Sequence, residues 1–172
     1  PDDAAAVSEL AARTFPDACP SSLPAEAIEE HIVTQLSPTV FEAVISSPEE
    51  HRLFVAEVEG TLVGYVLTHV GAHALPGDLV RPGRVEEGSA YLSKCYVDEE
   101  CRGRGIADAL IERALADAGE AGHTSIVLGT NRGNKSAQAF YKRHGFRKRS
   151  SRTFDVGGVR NYDVVMVRDL TA

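Results

Sequence analysis

The chain contains no apolar run near the roughly eighteen residues that a membrane-spanning helix needs, and its start shows no signal-peptide pattern. The expectation is a globular protein of the cytoplasm with no membrane partner. Cysteine is scarce: Cys19, Cys95 and Cys101 are odd in number and are not spaced as zinc ligands. That predicts a reduced compartment, no metal, and no disulfide framework. Basic charge is not in excess, and a net charge of −7 argues against general nucleic-acid binding while suiting a cationic small molecule. There is no internal repeat, no low-complexity tract and no initiator Met, so an opening strand is expected to be missing from the sequence as given. What is present is 172 residues, 43% hydrophobic and 25% charged, which suits one domain over 1–172 with a substantial core.

Periodicity orders the chain. Ala4, Val7, Leu10 and Ala11 share one helical face after the capping pair Asp2-Asp3, predicting a helix to about Phe15 that Pro16 and Pro20 end. A second helix restarts at Leu23-Pro24-Ala25-Glu26 with Ile28, Ile32, Val33 and Leu36 inward, and a third runs from Pro38 to Ser46 with Val40, Phe41, Val44 and Ile45 inward. Two β-branched and aromatic runs around Glu59-Gly60 predict a hairpin. The stretch from Gly71 to Gly88 has no period and reads as a long connection, a place where functional residues gather. A strand, an Arg/Gly turn and a long amphipathic helix occupy Tyr91 to Leu115, with Gly119 and Gly122 closing the helix. Another strand follows over His123 to Thr130, then a helix carrying Ala137, Phe140 and Tyr141 and stopping at Gly145, and finally two strands around Gly157-Gly158.

The turn Arg102-Gly103-Arg104-Gly105-Ile106-Ala107 between strand and helix is an anion site by construction. The first turn of a helix leaves backbone N–H groups unpartnered at a positive dipole end, and glycines let a ligand approach them. A Walker loop would need Lys and Ser or Thr after Gly105, where Ile106-Ala107 stand, and a dinucleotide fingerprint would need a third Gly, where Asp108 stands. Both are excluded.

The pattern that fits, Arg-x-x-Gly-x-Gly/Ala after a strand followed by Asn134-x-x-Ala137-x-x-Phe140-Tyr141-x-x-x-Gly145-Phe146, resembles the GCN5-related N-acetyltransferases (GNAT family) over nearly the whole chain. The resemblance implies an α/β (α+β) fold: a mixed, mostly antiparallel sheet splayed between its fourth and fifth strands, with helices on both faces. It implies acetyl-CoA as cosubstrate. By the same mapping the backbone of Cys95, Tyr96 and Val97 pairs with pantetheine, and Arg102 and the residues Gly103, Arg104, Gly105, Ile106, Ala107 and Asp108 hold the pyrophosphate. Asn134 bonds the cofactor arm, and Tyr141 is the general acid beside the sulfur. The basic residues Lys142-Arg143-His144 and Arg147-Lys148-Arg149 either meet the 3′-phosphate of the cofactor or form a solvated face.

Elementary acid–base chemistry agrees with the Tyr141 role. A thiol of pKa about 8.5 leaves more readily when a phenol of pKa about 10 supplies its proton. An alkyl ammonium of pKa about 10.4 must lose a proton before it attacks. The relatives that acetylate ribosomal-protein N-termini carry a Glu five residues before the motif Asn, where this chain has Gly129, so that subfamily is disfavoured and the base is open. Glu86 and Glu87 are the leading carboxylate candidates, with His73 or a water on Ser93 as others. A closer likeness to the PaiA-type polyamine N-acetyltransferases rests on Arg13-Thr14-Phe15, Gly64-Tyr65-Val66, Leu128-Gly129 and the tail Thr153-Phe154 through Asp163-Val164-Val165-Met166. It implies spermidine or spermine as acceptor, an acidic pocket near Glu42, Glu86 and Glu87, and a monomer or homodimer. The competing expectations are an amino acid, antibiotic or protein N-terminal amine as acceptor, and a CoA-binding sensor without turnover.

Overall fold

The computed structural model describes residues 3–72, 74–79, 88–156 and 159–171. Three helices come first, α1 (Asp3–Ala18), α2 (Ala25–Gln35) and α3 (Pro38–Ser46). The expected inward face of α1 is buried at Ala4, Val7, Leu10 and Ala11. The helix does not stop at Phe15: Pro16 sits inside its last turn, where the missing N–H removes one bond to the Ala12 carbonyl without ending the helix. On α2, Val33 is 66% exposed, while Leu36, at the end of the helix, is buried with Phe41 of α3. These helices close on Tyr65, Leu53 and Tyr96 of the sheet to form one core.

The sheet contains β1 (His51–Val58), β2 (Thr61–His69), β3 (Ala90–Val97), β4 (Ser125–Asn131), β5 (Arg147–Val156) and β6 (Val159–Asp169), ordered β1-β2-β3-β4-β6-β5. Glu59 and Gly60 both take positive φ, 50° and 79°, which is the backbone of a two-residue hairpin turn between β1 and β2. Between β3 and β4 lies α4 (Ile106–Glu120), and between β4 and β5 lies α5 (Lys135–Arg143). Gly119 falls within α4, and it is Gly122, at φ 86°, that follows the helix end. The second core forms on the opposite sheet face, where Leu110, Ile111, Ala114 and Leu115 of α4 and Tyr141 of α5 meet Val66, Leu92, Leu128 and Met166. Full burial of such a Leu or Ile side chain contributes about 1.5–3 kcal/mol. Helices therefore cover both faces, as expected.

Among the described residues every strand pair is antiparallel except β3 with β4, and that pair is joined only at Ala90 with Ile126 and Tyr91 with Val127. Beyond those residues β3 stays with β2 as far as Val97, and β4 stays with β6 as far as Asn131. The two halves of the sheet diverge and leave a wedge. Counted among the described strands the opening lies between the third and fourth, three helices preceding β1.

Candidate active site

One side of the wedge is built largely from backbone. β3 ends at Val97, a single tight turn spans Glu99–Cys101, and Gly103 and Gly105 follow at φ 75° and 79°. A Cβ at either glycine would meet nothing within 4 Å, so the requirement there is for the left-handed backbone and not for space. Gly105 caps α4 without a side-chain bond, and the amides of Ile106, Ala107 and Asp108 are the first-turn groups that a helix leaves unpartnered. All the expected donor-side residues except Arg104 line one cavity of about 630 Å³. A run of free amides at a positive helix end, beside an open strand edge, fits the pyrophosphate and amide arm of acetyl-CoA.

Side chains then brace this turn. Arg102 donates from Nε to the Val97 carbonyl at 3.1 Å and from Nη2 to Asp17 at 2.7 Å, and Arg13 donates to Asp98 at 3.1 Å. The last turn of α1, the one beyond Phe15, is thus pinned over the glycine loop, and its Asp17 and Ala18 join the cavity wall. Arg104 lines neither cavity and lies 3.9 Å from Cys101 Sγ. The Asp108 carboxylate is bonded to His144 Nε2 at 2.8 Å, which ties the first turn of α4 to the end of α5. Arg143 of the basic cluster lines the same cavity.

A second cavity of about 370 Å³ opens on the other side of the wedge. The two share Cys95 and Tyr96 of β3, Ala18 of α1, and Asn134, Ala137 and Tyr141 at α5. Asn134 caps α5, its Oδ1 accepting from the Ala137 amide at 3.0 Å, which leaves its NH₂ as a donor at the junction. Tyr141 is 9% exposed. Burial, and after it the neighbouring Cys95, Tyr96 and Tyr91, hold its phenol well above the ordinary tyrosine range, so it carries its proton at neutral pH. Burial likewise pushes the Cys95 thiol up to about 12. At the seam the phenol is therefore protonated and the thiol un-ionised.

The walls of the second cavity are side chains from distant parts of the chain. Arg152 of β5 reaches across the sheet, donating to Asp163 of β6 from Nε at 3.3 Å and Nη2 at 3.2 Å, and to the Tyr91 hydroxyl of β3 at 3.3 Å. It passes over Gly129 of β4, where a Cβ would stand 2.8 Å from Arg152 Nη2 and 3.0 Å from Asp163 Oδ2. Asp78 of the long connection adds a looser pair to Arg152 at 3.6 Å. Burial pushes the Asp163 carboxyl above its usual range, although Arg152 pulls the other way. Opposite them stand Lys94, whose pKa burial lowers, and His31, lowered first by burial and then by Lys94. Among the described residues Lys94 has no carboxylate partner, only Ser93 Oγ at 3.4 Å.

The expected base candidates Glu86, Glu87 and His73 lie outside the described residues. Glu42 is exposed on α3 and lines neither cavity. Sequence reasoning missed Asp17, Lys94, Arg152 and Asp163. For Asp163 a signal existed, since a carboxylate directly before Val164-Val165-Met166-Val167 is expensive to bury unless it is paired.

Comparison with known proteins follows from this geometry. The sequence pattern of the acetyltransferase (GNAT) family matches residues 5–146. An N-acetyltransferase of Mycobacterium tuberculosis, itself uncharacterized, is 34% identical over 168 residues, covering 98% of both chains. Among solved structures, the PaiA N-acetyltransferase of Thermoplasma acidophilum in complex with coenzyme A superimposes with a TM-score of 0.76 at 19% identity, covering 98% of this chain and 93% of the other. The ribosomal-protein-S18-alanine N-acetyltransferase of Escherichia coli gives 0.67 at 17% identity over 99% and 90%. At those identities the two structures speak for the fold.

Proposed function

Since the chain belongs to the acetyltransferase (GNAT) family and is an acetyl-CoA-dependent N-acetyltransferase, we propose that it acetylates a primary amine of a small cationic acceptor by direct attack in a ternary complex. The observation that carries this reading is the meeting of two cavities at Cys95, Tyr96 and Tyr141, one walled by helix-end amides and the other by ionisable side chains. In it the amides of residues 103–108 hold the pyrophosphate, β3 orients the thioester, Asn134 donates to the cofactor arm, and the acceptor enters from the smaller cavity. The acceptor nitrogen forms the C–N bond, the C–S bond breaks, and Tyr141 gives its proton to the departing thiolate. The phenolate then recovers a proton from the new amide nitrogen.

Spermidine or spermine is the leading acceptor class on the sequence likeness and on the acidic net charge. A second reading, an acceptor whose amine lies close to a carboxylate, as in an amino acid, is favoured by Lys94, a mostly buried cation without a carboxylate partner among the described residues. The test is a mass-spectrometric screen of polyamines, amino acids, aminoglycosides and peptides with acetyl-CoA. Acetylated polyamine supports the first reading and acetylated amino acid the second. Tight acetyl-CoA binding with no acetylated product overturns both in favour of a CoA sensor.

A further inference from the structure

The acceptor ammonium must lose a proton inside the smaller cavity, so a proton-accepting group has to be part of that cavity's wall. We propose that Asp163 is this group and that Arg152 is its positioning residue; the proposal rests on the acetyltransferase reading above. Among the described residues Asp163 is the one carboxylate lining the acceptor cavity. The two carboxylates in the donor cavity are committed elsewhere, Asp17 to Arg102 at 2.7 Å and Asp108 to His144 at 2.8 Å.

Three features distinguish Asp163 from a carboxylate that merely balances Arg152. Its side chain is buried on β6, directly opposite Arg152 in the strand register. Both bonds from Arg152 fall on Oδ2, so Oδ1 takes no hydrogen bond among the described residues and remains available to a proton. The neighbouring strand is emptied to make room: Gly129 has no Cβ where one would stand 2.8 Å from Arg152 Nη2 and 3.0 Å from Asp163 Oδ2. The space beside residue 129 is therefore filled from β5 and β6, and the carboxylate that β4 does not supply comes from the next strand. Arg152 spans four strands to do this, ending on Tyr91 of β3, so it also links the two halves of the wedge that must stay in register for attack.

The charges facing Asp163 set its basicity. Arg152 from β5 favours the ionised form, while burial and Asp78 from the long connection oppose it and leave the carboxyl above its usual range. Tyr91 and Tyr96 face the cluster from β3. A carboxylate in that position accepts the ammonium proton at Oδ1. The freed lone pair attacks the thioester carbonyl, Tyr141 protonates the thiolate and recovers the second amine proton, and Asp163 returns its own proton to solvent. One proton is released per acetyl group transferred.

The experiment compares the wild type with Asp163→Asn and with the double variant Glu86→Gln/Glu87→Gln. Two acceptors of one shape are used, the amine found by the screen and its β,β-difluoro analogue, whose nitrogen is far less basic. On this account Asp163→Asn lowers kcat/KM for the ordinary amine at pH 7 by about 100-fold or more. It lowers that for the fluorinated amine by less than about tenfold, because little deprotonation is left to do. Acetyl-CoA affinity by calorimetry stays within about twofold, which also shows that the variant folds, and the double Gln variant does not reproduce the dependence on amine basicity that Asp163→Asn shows. Equal losses on both amines indicate a structural role and overturn the proposal. So does full activity of Asp163→Asn, or the same dependence on amine basicity in the Glu86/Glu87 variant. If the wild type acetylates no amine at all, the acetyltransferase reading fails first, and this proposal with it.

Discussion

The two sides of the wedge are built from different materials. The side proposed for the donor is centred on one local stretch, residues 95–108, whose backbone amides are opened by two glycines and the start of a helix, with α1 and α5 closing around it. The side proposed for the acceptor is assembled from side chains of α1, α2, β3, β4, α5, β5 and β6, residues up to 148 positions apart between Phe15 and Asp163. A backbone cradle can recognise one ligand in many proteins because every residue type supplies an N–H. A side-chain wall is specific to the chain that makes it, and its residues are free to differ wherever the acceptor differs.

Substitutions can separate the two sides, and the largest effect belongs at the seam. Tyr141→Phe removes the proton donor without removing the ring, so kcat should fall by about 10²–10³-fold for every acceptor, with acetyl-CoA affinity held. Stopped-flow or steady-state thiol release checks it, and a variant as fast as wild type would end the general-acid role.

The glycines give a sharper contrast. Gly129→Ala adds a methyl where Arg152 and Asp163 already stand, displacing both by tenths of an ångström. Turnover should drop roughly 30-fold through misplacement while calorimetric acetyl-CoA affinity is unchanged. Gly105→Ala has space but forces a side chain into φ 79°. That strain is about 1–2 kcal/mol, expected to appear as roughly tenfold weaker acetyl-CoA binding with kcat at saturating donor preserved. If the two variants lose the same function, the division of the site into a backbone side and a side-chain side is wrong.

Smaller effects test the seam's chemistry and the frame around it. Cys95 borders both cavities, yet its thiol is pushed up to about 12, so Cys95→Ser should stay within about threefold of wild type and acetyl-CoA alone should leave no acetyl adduct by intact mass. At the end of β2, His69 is lowered to about 4, first by burial and then by His51 and Lys94. Its unfolded form binds a proton near pH 6.5, so folded stability is complete above that value and is lost as pH falls toward 4. Melting temperature should decline over that window, and His69→Gln should flatten the decline.

The same difference in materials explains what could be read in the sequence. The Arg102 to Asp108 turn and the Asn134 to Phe146 stretch are local patterns, and the structure places them on one cavity because strand, turn and helix are contiguous. The first helix was foreseen from its apolar face, but its last turn was not, since Pro16 reads as a stop until Asp17 is seen paired with Arg102. Gly129 was legible as a missing carboxylate and illegible as a space. Its meaning depends on Arg152, 23 positions along, which lies over it only once β4, β6 and β5 are side by side. No spacing rule connects those residues, because strand pairing joins them in space and not in order.

The central claim is that donor and acceptor occupy the two cavities together and react directly where they meet. Initial rates of thiol release measured over a grid of acetyl-CoA and acceptor concentrations test it most directly. Double-reciprocal lines that intersect are the predicted result, as a ternary complex requires. Parallel lines, the mark of an acetylated enzyme formed and discharged in separate steps, would contradict the account.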